Sequence, residues 1–291
     1  MNAPHLGNLA FWRPLVLENV YIGSRANPVV VKYAKLADKK YRETDELFLC
    51  EGAKLFSEAV GCRAGIEAVL LREGQTGTLA SETLDAMRGI SVYEKTRLFT
   101  LSASAFDKIS SEKAPEGVIC VLNFLKNIRT VPVFEESRAK RYAGEKLMLL
   151  CSVRDPGNAG TIVRSAAAFG FDRLIFSADS ADLYSSRAMR AAMGALFKIK
   201  VDLVGQMRQA VLALTASGRR VFAAELRPGA RSADTVGVGQ NDCFLIGNEG
   251  HGIPPEISAA CSGSVYIPIR PDSESLNAAV AASIFAFMQR S

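Results

Sequence analysis

Apolar and polar positions along the chain fall into alternating helical and extended patterns from about residue 27 onward. Residues 29–42 place Val30, Tyr33, Ala34, Ala37 and Tyr41 at helical spacing, and Pro28 suits the first turn of that helix. The apolar run at 47–50 predicts a short buried strand, 53–60 a helix, 65–71 a strand and 81–87 a helix. Residues 90–93 read as a further strand. The unbroken apolar run at 117–124 predicts a strand covered on both faces. Alternation of this kind predicts a smaller α/β domain over residues 1–125. Residues 126–143 hold Pro132 and the charges Glu135, Glu136, Arg138, Lys140 and Arg141 with little periodicity, which reads as an interdomain linker.

A second α/β domain is expected over residues 144–291. Its strands are predicted at 146–153, 174–176, 221–224, 244–246 and 265–269, with helices at 161–169 and 276–288. Internal repeats and low-complexity tracts are absent from the sequence.

Composition narrows the class. With 291 residues, 48% hydrophobic and 22% charged, the chain has the balance of an ordinary soluble globular protein and room for two domains. No apolar run approaches the roughly 20 residues that span a bilayer. Residues 1–14 lack the basic, apolar and small-residue succession of a secretory leader, so a cytoplasmic protein is expected. Six scattered cysteines, none in a C-x-x-C pair, and only two histidines predict reduced thiols and no metal site. A net charge of +5 favours a polyanionic partner only slightly. Its distribution says more. The helix predicted at 29–42 carries Lys32, Lys35, Lys39, Lys40 and Arg42 against the single acid Asp38, a face suited to RNA phosphates, although charged helix faces are commonly just solvated.

Three strand-end loops hold the candidate chemistry. The first, 155–160, carries Asp155, Gly157, Asn158 and Gly160, with Arg164 one turn into the following helix. Glycines allow a ligand to approach the backbone, and the helix N-terminus favours an anion. The second is Gly247-Asn248-Glu249-Gly250-His251-Gly252, a tight turn whose carboxylate has no basic neighbour in sequence. His251 alone reads as a surface residue. The third runs from Ile267 through Arg270, Pro271, Asp272, Ser273 and Glu274 to Ser275-Leu276-Asn277 and an alanine-rich helix; Ser275 could simply be its N-cap. A G-x-G-x-x-G fingerprint after an early strand is missing, and Gly237-Val238-Gly239 does not replace it.

In this order and at these separations, Asn158-x-Gly160-x-x-x-Arg164, Gly247-Asn248-Glu249-Gly250-x-Gly252 and Ser275-Leu276-Asn277 resemble the three motifs of the SpoU (TrmH) family of RNA 2′-O-ribose methyltransferases. Residues 187–197 resemble the family's segment between the first two motifs, and the first domain is more loosely similar to the L30e-like substrate-binding domain that often precedes it. The resemblance implies a SPOUT domain with a mainly parallel sheet and a trefoil knot, acting as a homodimer. It implies S-adenosylmethionine as cofactor, with Leu226, Gly247, Asn248, Glu249, Gly250, Ile267, Ser275, Leu276 and Asn277 around it. It makes Arg164, Asn158, Glu249, Ser275 and Asn277 the catalytic candidates, with Arg164 also facing RNA. A front domain of this kind points to 23S ribosomal RNA. Transfer RNA, methylation of a base, and a non-catalytic RNA-binding protein of the same fold are the alternatives.

Overall fold

The computed structural model describes residues 18–88, 90–270, 272 and 275–290. The readings on residues 1–14, His5, Pro271, Ser273 and Glu274 lie outside these. The first domain runs β1 (Asn19–Ile22), α1 (Pro28–Ala34), a 3-10 turn (Lys35–Ala37), α2 (Lys39–Asp45), β2 (Leu47–Glu51), α3 (Ala53–Gly61), β3 (Ile66–Arg72) and α4 (Thr78–Met87). It closes with a 3-10 turn (Ser91–Tyr93), β4 (Arg97–Leu101), α5 (Ala103–Asp107) and β5 (Val118–Asn123). Its five strands lie in the order β1-β4-β3-β5-β2, with β5 antiparallel to both neighbours. All residues of β5 except Asn123 are buried, as its unbroken apolar sequence requires.

The second domain follows as β6 (Ile128–Val131), α6 (Glu136–Arg141), β7 (Leu147–Leu150), α7 (Pro156–Ala168), β8 (Arg173–Ser177), α8 (Ser186–Ala192) and a 3-10 turn (Ala195–Phe197). It continues with β9 (Lys200–Val204), α9 (Met207–Ala216), β10 (Val221–Ala224), β11 (Arg231–Ser232), β12 (Cys243–Ile246), α10 (Pro255–Ser258), β13 (Gly263–Tyr266) and α11 (Ala278–Met288). The eight strands form one sheet, β11-β13-β10-β12-β7-β8-β9-β6, parallel throughout. From β7 the chain steps to β8 and β9 on one side, while β12 lies on the other. The crevice at such a reversal, beyond the carboxyl ends of the strands, is where open α/β sheets bind ligands. The loops after β7 and β12 both begin there.

Three sequence readings are corrected. Residues 90–93 form a 3-10 turn rather than a strand, with Tyr93 buried and donating its hydroxyl to the Val60 carbonyl at 3.2 Å. The single helix expected at 29–42 is broken because Asp38 is extended (φ −92°, ψ 133°) and its carboxylate accepts from the Lys40 amide at 2.9 Å, capping a new helix. The stretch 126–143 is not a free linker. It supplies edge strand β6 and helix α6, and Phe134, Ala139 and Tyr142 bury their side chains in the core.

The two domains share apolar packing through residues of both sheets. Tyr184 stacks on Phe124 with ring centroids 4.1 Å apart, and its hydroxyl accepts from the Leu125 amide at 2.9 Å. At Gly194 (φ +85°) an added Cβ would sit 2.7 Å from Glu58 Cγ, so only glycine permits this approach of the domains. The six cysteines are free, and burial pushes the Cys50, Cys120 and Cys243 thiols up, keeping them protonated. No helix among the described residues is long and apolar enough to cross a membrane.

Candidate active site

The first loop is fixed from both ends. Asp155 caps α7 by accepting from the Asn158 amide at 2.8 Å, and Pro156 opens the helix, which therefore begins earlier than residue 161. Before it, Ser152 adopts a left-handed conformation (φ +55°) that is costly for a residue with a Cβ. Three contacts hold it there. Its amide donates to Ser177 Oγ at 2.7 Å, its hydroxyl donates to Asp179 at 2.6 Å, and its carbonyl accepts from Asn248 Nδ2 at 2.7 Å.

Asn248 thereby ties the second loop to the first. Its Oδ1 accepts from the Gly250 and His251 amides at 2.9 and 3.0 Å, and its backbone pairs with Gly252. A Cβ on Gly247 would lie 2.6 Å from the Gly252 carbonyl, so the turn closes only on glycine. His251 is exposed, with Nδ1 3.2 Å from Asn248 Oδ1, as a surface residue of the turn.

In the third loop the cap of α11 is Asn277, which accepts from the Ala279 and Val280 amides at 2.9 and 3.3 Å; Ser275 is not the cap. The same asparagine donates to Asn158 Oδ1 at 3.0 Å, and Asn158 donates to Glu249 Oε1 at 2.8 Å. One side chain from each loop thus meets in a single hydrogen-bonded row. The partner that Glu249 lacks in sequence is Asn158, ninety-one residues away.

The third loop also lines a cavity of about 260 Å³ through Ser275 and Leu276, together with Leu226, Ile267, Glu225, Tyr266, Ile269, Ala281 and Phe285. Gly247, Asn248, Glu249 and Gly250 do not line it. Leu226 is 79% exposed at its rim, with Ile269 and Leu276 also exposed. Three exposed large apolar residues around one cavity form a surface suited to a flat, weakly polar ring. Sequence reasoning missed Glu225, which accepts from Ser264 Oγ at 2.8 Å and lies 3.2 Å from Arg227 Nε. Its only signal was its place after a strand.

Arg164 lies outside the cavity. It is exposed on α7, beside Ser165, whose hydroxyl accepts from Ser283 Oγ of α11 at 2.8 Å, and has no hydrogen bond or ion pair among the described residues. The α7–α11 seam opens into an apolar groove of about 430 Å³ lined by Asn158, Thr161, Phe169, Asn277, Val280, Ile284 and Phe287.

Of the expected RNA contacts, Lys32, Lys35, Lys39 and Lys40 are exposed. Arg42 is not available. It is 6% exposed, donates to the Leu36 and Ala37 carbonyls at 2.7 and 2.8 Å, and pairs with Asp182 of the second domain at 2.5 Å. Its guanidinium locks the domains together. Among the described residues no group of three or more His, Cys, Asp or Glu side chains could hold a metal ion.

A parallel sheet carried behind a smaller α/β domain is the architecture of SPOUT-type RNA methyltransferases. Residues 146–287 match the SpoU rRNA methylase family, and residues 27–120 match the MRM3-like substrate-binding domain. The chain thus carries a SpoU methylase domain behind an MRM3-like substrate-binding domain. It is 29% identical over 271 residues to the 23S rRNA (guanosine(2553)-2′-O)-methyltransferase of Bacillus subtilis, covering 92% of this chain and 98% of that one. It is 30% identical over 181 residues to the 23S rRNA (uridine(2479)-2′-O)-methyltransferase of Streptomyces viridochromogenes, covering 61% and 60% of the two chains. The AdoMet-bound rRNA methyltransferase of Sinorhizobium meliloti superposes with a TM-score of 0.78 at 26% identity, covering 94% of this chain and 97% of that one.

Proposed function

We propose that the protein is a cytoplasmic S-adenosylmethionine-dependent methyltransferase that modifies a ribose 2′-hydroxyl of 23S ribosomal RNA. The observation that carries this reading is the row Asn277–Asn158–Glu249, which joins three distant loops, the third of which lines the cavity through Ser275 and Leu276. Leu226, Ile267, Ser275 and Leu276 hold the cofactor from the cavity side, with Gly247, Asn248, Glu249, Gly250 and Asn277 bounding the loops. S-adenosylmethionine supplies an electrophilic sulfonium methyl group when bound. Insertion of β13 between β10 and β11, which residues 225–230 join directly, supports a threaded, knotted C-terminus.

A ribose hydroxyl is a poor nucleophile until charge develops on its oxygen, so alignment and electrostatics carry most of the rate. Arg164, with a planar guanidinium that offers several N–H donors, is assigned to stabilise the developing alkoxide. Asn158 and Asn277 hold the loops in register, and Glu249 and Ser275 orient the substrate. By likeness to the family, in which the partner subunit can supply this arginine, we assign the apolar groove between α7 and α11, which carries exposed Val280 and Phe287, to a second copy of the chain. Each subunit then lends its Arg164 to the other.

Calorimetry separates this enzyme from a non-catalytic RNA-binding protein. Titration with S-adenosylmethionine yields one binding event per chain, whereas absence of binding heat across several temperatures removes the cofactor from the account. The lysines of α1 and α2 have a separate role: exchanging Lys35, Lys39 and Lys40 for glutamate weakens rRNA binding and leaves cofactor affinity unchanged. Equal RNA affinity in that variant would remove the first domain's lysine face from the interface.

A further inference from the structure

Two exposed arginines flank the first reaction loop, and each is held by a carboxylate that is itself anchored to that loop. On one side, Arg187 of α8 places Nη2 2.9 Å from Asp155 Oδ2, while the other oxygen of Asp155 caps α7 at the Asn158 amide. The guanidinium lies over the backbone at Gly157, where an added Cβ would sit 3.3 Å from Arg187 Nε and 2.9 Å from Asp155 Oδ1. On the other side, Arg154 lies 3.6 Å from Asp179, the carboxylate that accepts the Ser152 hydroxyl.

Both arginine side chains remain about two-thirds exposed, 65% and 69%. Solvated pairs of this kind contribute little to stability. What they do is keep two guanidinium groups near the loop that carries Asn158. A guanidinium carries five N–H donors, and each carboxylate lies close to one of its nitrogens. The remaining donors of Arg154 and Arg187 have no protein partner among the described residues. Ser152, pinned in its left-handed conformation by contacts from three directions, keeps the loop between them from shifting.

We infer that Arg187 and Arg154 form a clamp for RNA backbone phosphates beside the target ribose, setting which nucleotide enters the site. The inference rests on the proposed function and adds to it a contact from the subunit that owns the reaction loops. Planar two-toothed donors suit phosphate oxygens, and their attachment to the loop carrying Asn158 ties phosphate position to ribose position.

The test uses the full chain, a 23S rRNA transcript and the variants Arg187→Ala, Arg187→Lys and Arg154→Ala/Arg187→Ala. Arg187→Ala raises KM for RNA about tenfold, and the double variant more, at nearly unchanged kcat and S-adenosylmethionine affinity; loss of one charge-assisted contact has about this effect. The slope of log binding constant against log salt falls by about one per arginine removed. Arg187→Lys restores the salt slope, since charge is kept, and only part of the KM. Unchanged RNA affinity and salt slope in the double variant would overturn the clamp, as would loss of cofactor binding with intact RNA binding. Binding to the transcript is read without turnover. Failure of the wild-type protein to methylate it strikes the proposed function, while the salt slopes still judge the clamp.

Discussion

Arg164→Ala loses methyl transfer by about 10²–10³-fold, the range found when one donor to a developing oxyanion is removed. The fold and cofactor affinity do not change, because Arg164 is exposed and makes no hydrogen bond among the described residues. The loss falls on kcat, since the charge acts on the oxygen only as the new bond forms. The proposed exchange of Arg164 between two copies of the chain gives a second readout. Mixing Arg164→Ala with Asn158→Ala, each inactive as a homodimer, restores activity: one of the two sites in the mixed dimer has an intact loop and an intact arginine from its neighbour. Near-normal turnover of Arg164→Ala refutes the role. Absence of complementation in confirmed mixed dimers refutes the exchange between subunits.

The second large effect lies far from the chemistry. Asp202, fully buried on β9, accepts from the Tyr142 hydroxyl at 2.5 Å and from Arg173 Nη1 at 3.1 Å, while Arg173 also pairs with Glu145 at 2.8 Å. Asp202→Ala strands Arg173, 7% exposed, without one of its two charge partners. Breaking such a buried pair costs about 3–5 kcal/mol. Urea unfolding monitored by circular dichroism shows the midpoint falling accordingly, with Arg173→Ala close behind. A shift within the range of an exposed pair, below about 1 kcal/mol, means that solvent reaches this network.

That network explains why one stretch of sequence misled. Residues 126–143 look like a charged connector, yet the informative positions are Ala139 of α6 and Phe134 and Tyr142 on either side of it, which bury their side chains in one core with residues of α9. Strand β6 is invisible for a related reason: as a sheet edge it exposes Arg129 and Thr130, so neither alternation nor an apolar run survives. The break after Ala37 was readable, since an aspartate before a new basic stretch is a cap signal, but the continuous apolar face of 29–42 outweighed it. Arg42 shows a firmer limit. Nothing local separates it from Lys39 and Lys40, and only the approach of Asp182, 140 residues away, buries it.

The reaction loops were legible because their constraints are local. Gly247 closes its own turn, Asp155 caps its own helix and Asn277 caps another. Their meeting was not derivable from spacing and came from family likeness. The structure adds the physical link through Asn158, whose amide reaches Glu249 with one end and Asn277 with the other.

Transfer of a labelled methyl group from S-adenosylmethionine to 23S rRNA, followed by complete nuclease and alkaline digestion, tests the central claim most directly. The label is expected in a single alkali-resistant dinucleotide, which only a 2′-O-methylated ribose produces, and it disappears with Asn158→Ala. Label recovered on a base, or no incorporation by a protein that binds both cofactor and RNA, would contradict it.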